Sequence, residues 1–90
     1  MANVTVLKVV EGFPATLNGS ELATVECQVD TKYVRVAYLM DDLPDSAAVK
    51  TKLIADSAVL LDLAKQNSQP FPAPPYGTEK PELIPDPFQI

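Results

Sequence analysis

The chain contains no histidine and no tryptophan, and it has a single cysteine. Because Ser-His-Asp and Cys-His enzymes use a histidine base, these enzyme classes are excluded. A zinc site built from cysteine and histidine needs about four such side chains, and Cys27 alone is available. The same cysteine lies in a strand pattern, so we expect a buried thiol without reactivity. The sequence therefore predicts no catalytic residues and no metal site.

Glycine is also scarce, with three residues in the whole chain, so there is no glycine-rich loop that could hold a phosphate group. We therefore expect no cofactor. Basic residues number seven against twelve acidic residues, which gives a net charge of −5. Nucleic-acid binding usually rests on a basic surface, so this charge argues against a nucleic-acid partner.

Long apolar segments are missing as well. The longest candidate, residues 55–64, is interrupted by Asp56, Ser57 and Asp62 and falls short of the ~18 apolar residues of a membrane span. The first residues lack a basic region followed by an apolar segment, so we expect no signal peptide. The sequence thus predicts a protein made in the cytoplasm, without a membrane partner.

Three segments have the composition of β-strands, at residues 4–10, 22–29 and 33–40. The second alternates apolar and polar residues, which predicts one buried face and one solvent-exposed face. A short polar connection makes the second and third strands antiparallel. Between the first two strands, Asn18-Gly19 favours a type I′ turn, because both of its central residues need a positive φ.

The first strand divides its residues between two faces with a period of two, which places Val4, Val6 and Val10 together. A single helix would cover one face of such a sheet. The other face would keep apolar residues, and exposed apolar surface of this kind marks an interface. These residues are Leu7, Val9, Tyr33 and Leu39.

Residues 46–66 contain neither glycine nor proline, and their apolar positions recur with the period of a helix. Asp56 falls inside the apolar arc near its edge, where it either reaches past the edge to solvent, as we expect, or meets a partner. The fold predicted is α+β: a small antiparallel sheet of about three strands, covered on one face by a single C-terminal helix. The helix would pack on the sheet through a broad face formed by Val49, Leu53, Ile54, Leu60, Leu61, Leu63 and Ala64.

Three carboxylates, Asp41, Asp42 and Asp45, precede the helix. Oxygen ligands suit Ca²⁺ and Mg²⁺, but the spacing lacks the ligand pattern of an EF-hand and its glycine. Negative charge at a helix N-terminus is favourable, so we assign these residues to capping the helix and to its dipole.

Residues 67–90, the tail, contain seven of the nine prolines and follow a predicted domain of residues 1–66. In a polyproline conformation at ~3.1 Å per residue, residues 70–90 of the tail would reach ~65 Å, enough to cross a neighbouring subunit. Packing on its own domain and docking of its proline motifs in an SH3-like or WW-like groove are the alternatives. Six apolar side chains are the predicted partner-binding residues: Phe71, Tyr76, Leu83, Ile84, Phe88 and Ile90.

The small core, the leftover apolar face and the apolar tail together predict a non-enzymatic structural or assembly protein whose partners are neighbouring protein subunits. Our concrete expectation is a small component of a virus particle, such as a decoration, cement or connector subunit whose tail clasps its neighbour. An acidic inhibitor that binds a host enzyme or defence complex is the alternative, because a small acidic domain can imitate nucleic acid. A third hypothesis is an adaptor recognised by a proline-binding domain.

Overall fold

The computed structural model describes residues 2–13 and 21–90, and in these residues an antiparallel five-stranded sheet carries two helices on one face. The α+β class is therefore confirmed. The sheet has the order β3-β2-β1-β4, and β5 pairs with the other end of β1. The elements are β1 (Asn3–Glu11), β2 (Leu22–Val29), β3 (Lys32–Leu39), α1 (Ser46–Ala55), α2 (Ser57–Ala64), β4 (Thr78–Glu79) and β5 (Phe88–Gln89).

Two details of the predicted architecture differ from this result. The tail adds two strands to the three that were predicted, and each has only two residues, too short for a recognisable alternation. The predicted single helix is interrupted at Asp56, where α1 ends and α2 begins. The turn predicted at Asn18-Gly19 lies outside the described residues.

A β-bulge at Leu7 changes the faces that were predicted for β1. The pairing of β1 with β2 shifts by one residue between Val6 and Lys8, so the strand presents Val4 and Val6 to the core before the bulge and Val9 after it. The predictions that Val10 shares the face of Val4 and that Val9 lies opposite it were therefore wrong, because a period of two does not survive an inserted residue. Leu7 remains on the surface, as predicted, with 41% of its area exposed.

The core lies between the helices and the sheet, as the apolar pattern indicated. Val49, Leu53 and Leu60 are completely buried there, and Leu63 packs against them. The predicted helical face was too broad, because Ile54 and Leu61 are 45% and 41% exposed. A narrower stripe suffices because each helix is short: α2 packs on β2 and β3, whereas α1 packs beside α2 and the 3-10 turn at Pro81–Leu83.

Of the two positions considered for Asp56, the structure shows contact with a partner instead of the expected reach into solvent. Its Oδ2 accepts a hydrogen bond of 2.6 Å from the hydroxyl of Tyr38, which lies on β3. Its backbone has φ −100° and ψ 22°, outside the usual helical region. The interruption of the helix and the contact with the sheet therefore occur at the same residue.

The tail surrounds the sheet instead of extending away from it. Near its start, the Tyr33 N–H donates to the carbonyl of Asn67 at the β3 edge, and residues 70–77 then cross the sheet face opposite the helices. At the far edge β4 and β5 pair with β1, and Leu83 returns to the core between them. The molecule measures 37 Å along its longest axis, well below the ~65 Å of an extended tail.

Candidate protein-binding surface

The sheet face opposite the helices, here called the outer face, is partly covered by the tail. Thr24 and Glu26 of β2 point to this side and are 2% and 7% exposed. The prediction that this face of β2 is open to solvent was therefore wrong at these two residues. The covering comes from Phe13 and from tail residues, whose positions relative to the sheet do not follow from the alternation within a strand.

Arg35 of β3 is the centre of this covered region. Its Nε donates to Glu26 Oε1 at 2.9 Å, and its terminal nitrogen contacts the same carboxylate oxygen and donates to the Pro72 carbonyl at 2.7 Å. The guanidinium carbon lies 4.7 Å from the ring centroid of Phe71 and 5.6 Å from that of Phe13. Such cation–π contacts strengthen when they are desolvated. Arg35 therefore links β3 to Phe71 of the tail on one side and to Phe13 on the other.

A second contact with the tail lies beside Arg35. The rings of Phe13 and Tyr76 meet edge to face, with their centroids 5.1 Å apart. We call Phe13, Glu26, Arg35, Phe71 and Tyr76 the outer-face cluster. Aromatic side chains and arginine are the residue types most enriched at protein interfaces.

The outer-face cluster borders an open depression in the sheet surface. Leu7, Tyr33 and Phe71 line it together with the aliphatic ring of Pro70. Tyr76 is 47% exposed at the other side of the cluster, and Leu7 is 41% exposed. The region therefore has a centre at Arg35 that is held by hydrogen bonds within the chain. Around it lie apolar side chains, Leu7 and Tyr76, that remain partly exposed to solvent.

The six tail residues predicted to bind a partner divide into two groups. Phe71 and Tyr76 belong to the outer-face cluster. Leu83 and Phe88 are buried in this chain's own core. Ile84 and Ile90 are partly buried and pack against that core, so binding of another chain by these residues stays a prediction.

Sequence reasoning missed Phe13, Glu26 and Arg35 as members of a site. The opposition of Glu26 and Arg35 across β2 and β3 follows from the short connection between those strands, because residues at equal distances from a hairpin pair with each other. Phe13 offered no comparable signal, since it lies beyond the end of β1 and meets the tail only in the folded chain.

The carboxylates before α1 have the structural role that the sequence indicated at Asp45, whose Oδ1 accepts a hydrogen bond of 2.9 Å from the Ala48 N–H. Asp42 lies 3.7 Å from the Lys52 ammonium group. In residues 2–13 and 21–90, no three cysteine, histidine or acidic side chains form a group that could hold a metal ion.

Two titratable side chains have raised pKa values. Burial raises the pKa of the Cys27 thiol to about 11. Burial also raises the pKa of Tyr38, and the hydrogen bond to Asp56 and that residue's negative charge add to the effect. Both groups are therefore neutral at physiological pH and serve packing between the sheet and the helices.

Comparisons of the chain with protein-family models, with curated proteins and with solved structures found no match. Within the part of the chain that the structure describes, neither helix is long and apolar enough to cross a membrane.

Proposed function

We propose that this chain is a non-enzymatic structural subunit that works by binding other protein subunits in a larger assembly. The observation that carries the proposal is the outer-face cluster with the exposed apolar residues beside it. Arg35 is held by several contacts, one of them with the Phe71 ring, and Tyr76 and Leu7 keep 47% and 41% of their area exposed. A rigid apolar and aromatic surface of this kind loses little side-chain entropy when a partner covers it.

The concrete form of the proposal is a small component of a virus particle, such as a decoration, cement or connector subunit, made in the cytoplasm and then incorporated. The course of the tail supports a structural role. Its prolines have a fixed φ. Asn67 holds the tail at the β3 edge, Pro72 holds it to Arg35 on the outer face, and β4 and β5 hold it at the β1 edge. The tail thereby forms part of the surface that a neighbouring subunit would meet.

The test compares exposed residues on the two sides of the molecule. Tyr76→Ala and Leu7→Ala alter the proposed surface, and Leu61→Ala, equally exposed at 41% but on the helical side, is the matched control. Each tagged variant is expressed in the cells that produce the protein, and lysates are separated by gradient sedimentation. We expect the unmodified chain and the control in a high-mass fraction, with the other two shifted to low mass. A chain that sediments alone contradicts the proposal.

The acidic inhibitor is the second candidate, and one surface supports it. Glu11, Glu21, Asp41 and Glu82 line a shallow groove, in which Lys80 lies 3.9 Å from Glu11. If this groove binds a basic partner, binding should weaken steeply as salt rises, because surface charges are screened beyond ~10 Å at 0.1 M salt. A salt titration of the native complex separates the two candidates, since apolar docking on the outer face responds weakly to salt.

A further inference from the structure

One edge of the sheet lacks a neighbouring strand in the described residues, although the tail crosses it beside Tyr33. Strands β4 and β5 cover the outer edge of β1, whereas no strand in residues 2–13 and 21–90 pairs with the outer edge of β3. The Tyr33 N–H points outward there, because it donates to the carbonyl of Asn67. Backbone groups alternate in direction along an antiparallel strand, so those of Arg35, Ala37 and Leu39 also face outward.

Exposed apolar side chains lie on both sides of this edge. Leu39, 45% exposed, lies on the outer face at the end of β3. On the helical side, Val59 is 52% exposed. Leu63 and Asp56 each lie one helical turn from Val59. Leu63 borders Val34 of β3, and Asp56 accepts a hydrogen bond from Tyr38 of β3, so Val59 lies on the side of α2 that faces this strand. A strand added at this edge would therefore cover an apolar residue on each side.

The charges along the edge are self-complementary. Lys32 lies in the first half of β3, and Asp41 and Asp42 follow its end in a 3-10 turn at Met40–Asp42. Arg35 adds no free charge here, because its guanidinium group is paired with Glu26. When two such edges meet antiparallel, the basic half of each faces the acidic end of the other. A parallel arrangement would instead place like charges together, which costs free energy.

We propose that a second copy of this chain docks at the outer edge of β3, with the two β3 strands antiparallel and the two-fold axis at Ala37. In this register Ala37 faces its own copy, Arg35 faces Leu39 of the other strand, and the outward backbone groups of all three residues form hydrogen bonds. Lys32 approaches the other copy's Asp41 and Asp42, and the two sheets become one. The pairing between the two strands ends at Arg35, because the Tyr33 N–H already donates a hydrogen bond to the Asn67 carbonyl.

This inference rests on the proposed function only because it takes assembly as the role of the chain. It adds a second copy as one partner, which binds at the β3 edge and not at the exposed residues Tyr76 and Leu7. The test therefore uses the purified full chain without other proteins. Ala37 is exposed, so Ala37→Lys and Ala37→Asp should fold. Each would place like charges face to face on the axis, and we expect dimer dissociation constants raised by about tenfold or more.

Sedimentation equilibrium measures the mass of each variant and of an equimolar mixture of the two. We expect twice the 9.7 kDa chain mass for the unmodified protein, monomers for each variant, and a dimer again in the mixture, where opposite charges meet. Ala58→Lys and Ala58→Asp, exposed on α2, are controls that should leave the dimer intact. A monomeric unmodified chain, or a dimer that the Ala37 variants do not weaken, overturns the inference. So does a mixture that stays monomeric.

These outcomes are independent of the outer-face test. Loss of high-mass assembly in Tyr76→Ala with an intact dimer would locate the larger contact on the outer face. A dimer that dissolves in Ala37→Lys while the chain still sediments at high mass would show that the two surfaces act separately.

Discussion

Cys27 illustrates how one buried side chain links the pattern of a strand to the pH dependence of stability. It faces the core from β2 and is completely buried, as the alternation of apolar residues predicted. Because its surroundings are apolar, ionisation of its thiol is disfavoured and its pKa rises to about 11. The fold therefore stabilises the neutral form of this residue, which matters only under alkaline conditions.

We predict that the free energy of unfolding falls between pH 9 and pH 11. The thiol ionises near pH 9.0 when unfolded and near pH 11 when folded, so its contribution is complete below pH 9 and is lost as the pH rises through the folded pKa. At pH 11 the loss should be about 2 kcal/mol. Urea unfolding at several pH values measures this change. Cys27→Ala should flatten the curve between pH 9 and pH 10, below the range in which Tyr38, whose pKa is also raised, begins to contribute. An equally steep decline of this variant between pH 9 and pH 10 would contradict the assignment.

Glu26 and Arg35 show where residue-level prediction reaches its limit. Alternation placed both on the face opposite the core, and the structure confirms this side. Alternation could not show that Phe71 and Pro72 would cover them. Burial of a polar residue outside the core depends on contacts between segments far apart in sequence, and no local pattern reports such contacts.

At the scale of elements, the helices form because apolar residues recur with the helical period and Asp45 caps the first turn. Leu53 and Leu60 were predicted to be buried, and both are completely enclosed. The interruption at Asp56 was not predictable from the pattern, because aspartate is common on helix surfaces and its partner Tyr38 lies on another element.

The neighbours Leu53 and Ile54 provide a matched test of this packing. Leu53 is fully buried, whereas Ile54 is 45% exposed. We predict that Leu53→Ala lowers the free energy of unfolding by ~2–5 kcal/mol and that Ile54→Ala lowers it by less than about 1 kcal/mol. Thermal or urea unfolding measures both values. Equal losses would show that the helix turns a different face to the sheet.

Gly77 lies where the tail passes close to the end of β1. Its φ is +108°, and a Cβ atom there would lie 2.6 Å from Val10 Cγ1 and 3.0 Å from the Glu11 carbonyl oxygen. Both the backbone conformation and the lack of space therefore require glycine.

We predict that Gly77→Ala destabilises the fold by ~1–3 kcal/mol and loosens the start of β4. Hydrogen exchange should show faster exchange at the Lys80 N–H, which donates to the Val9 carbonyl at 2.7 Å. Gly12→Ala is a useful comparison. It also has a positive φ, but the nearest atom to its added Cβ would be 3.9 Å away, so the cost there comes from the backbone alone. An equal effect of the two substitutions would show that the close contact is unimportant.

At the scale of the whole molecule, the tail is the part of the fold that the sequence predicted least well. The three long strands and the helical region followed from periodicity, because each of these elements repeats a pattern over several residues. The tail has no such repeat, and its prolines indicated only an extended backbone. Its apolar side chains predicted that they would be buried against another surface, without showing which one. The structure identifies that cover in part as the chain's own core, at Leu83 and Phe88.

Removal of the tail should therefore unfold this protein. Truncation after Gln69 would delete β4 and β5, open the outer edge of β1 and take Leu83 and Phe88 out of the core. An unpaired edge beside an exposed core favours aggregation, so we predict that the truncated chain loses cooperative melting and its dispersed NMR spectrum. Single substitutions separate this effect from the mere loss of chain length. Phe88→Ala, at a residue 9% exposed, should cost ~3–5 kcal/mol, whereas Pro87→Ala at the exposed neighbouring position should cost less than about 1 kcal/mol. A truncated chain that melts like the full-length protein would show that residues 1–69 suffice for the fold, and the rest of the tail would then be free to bind another subunit.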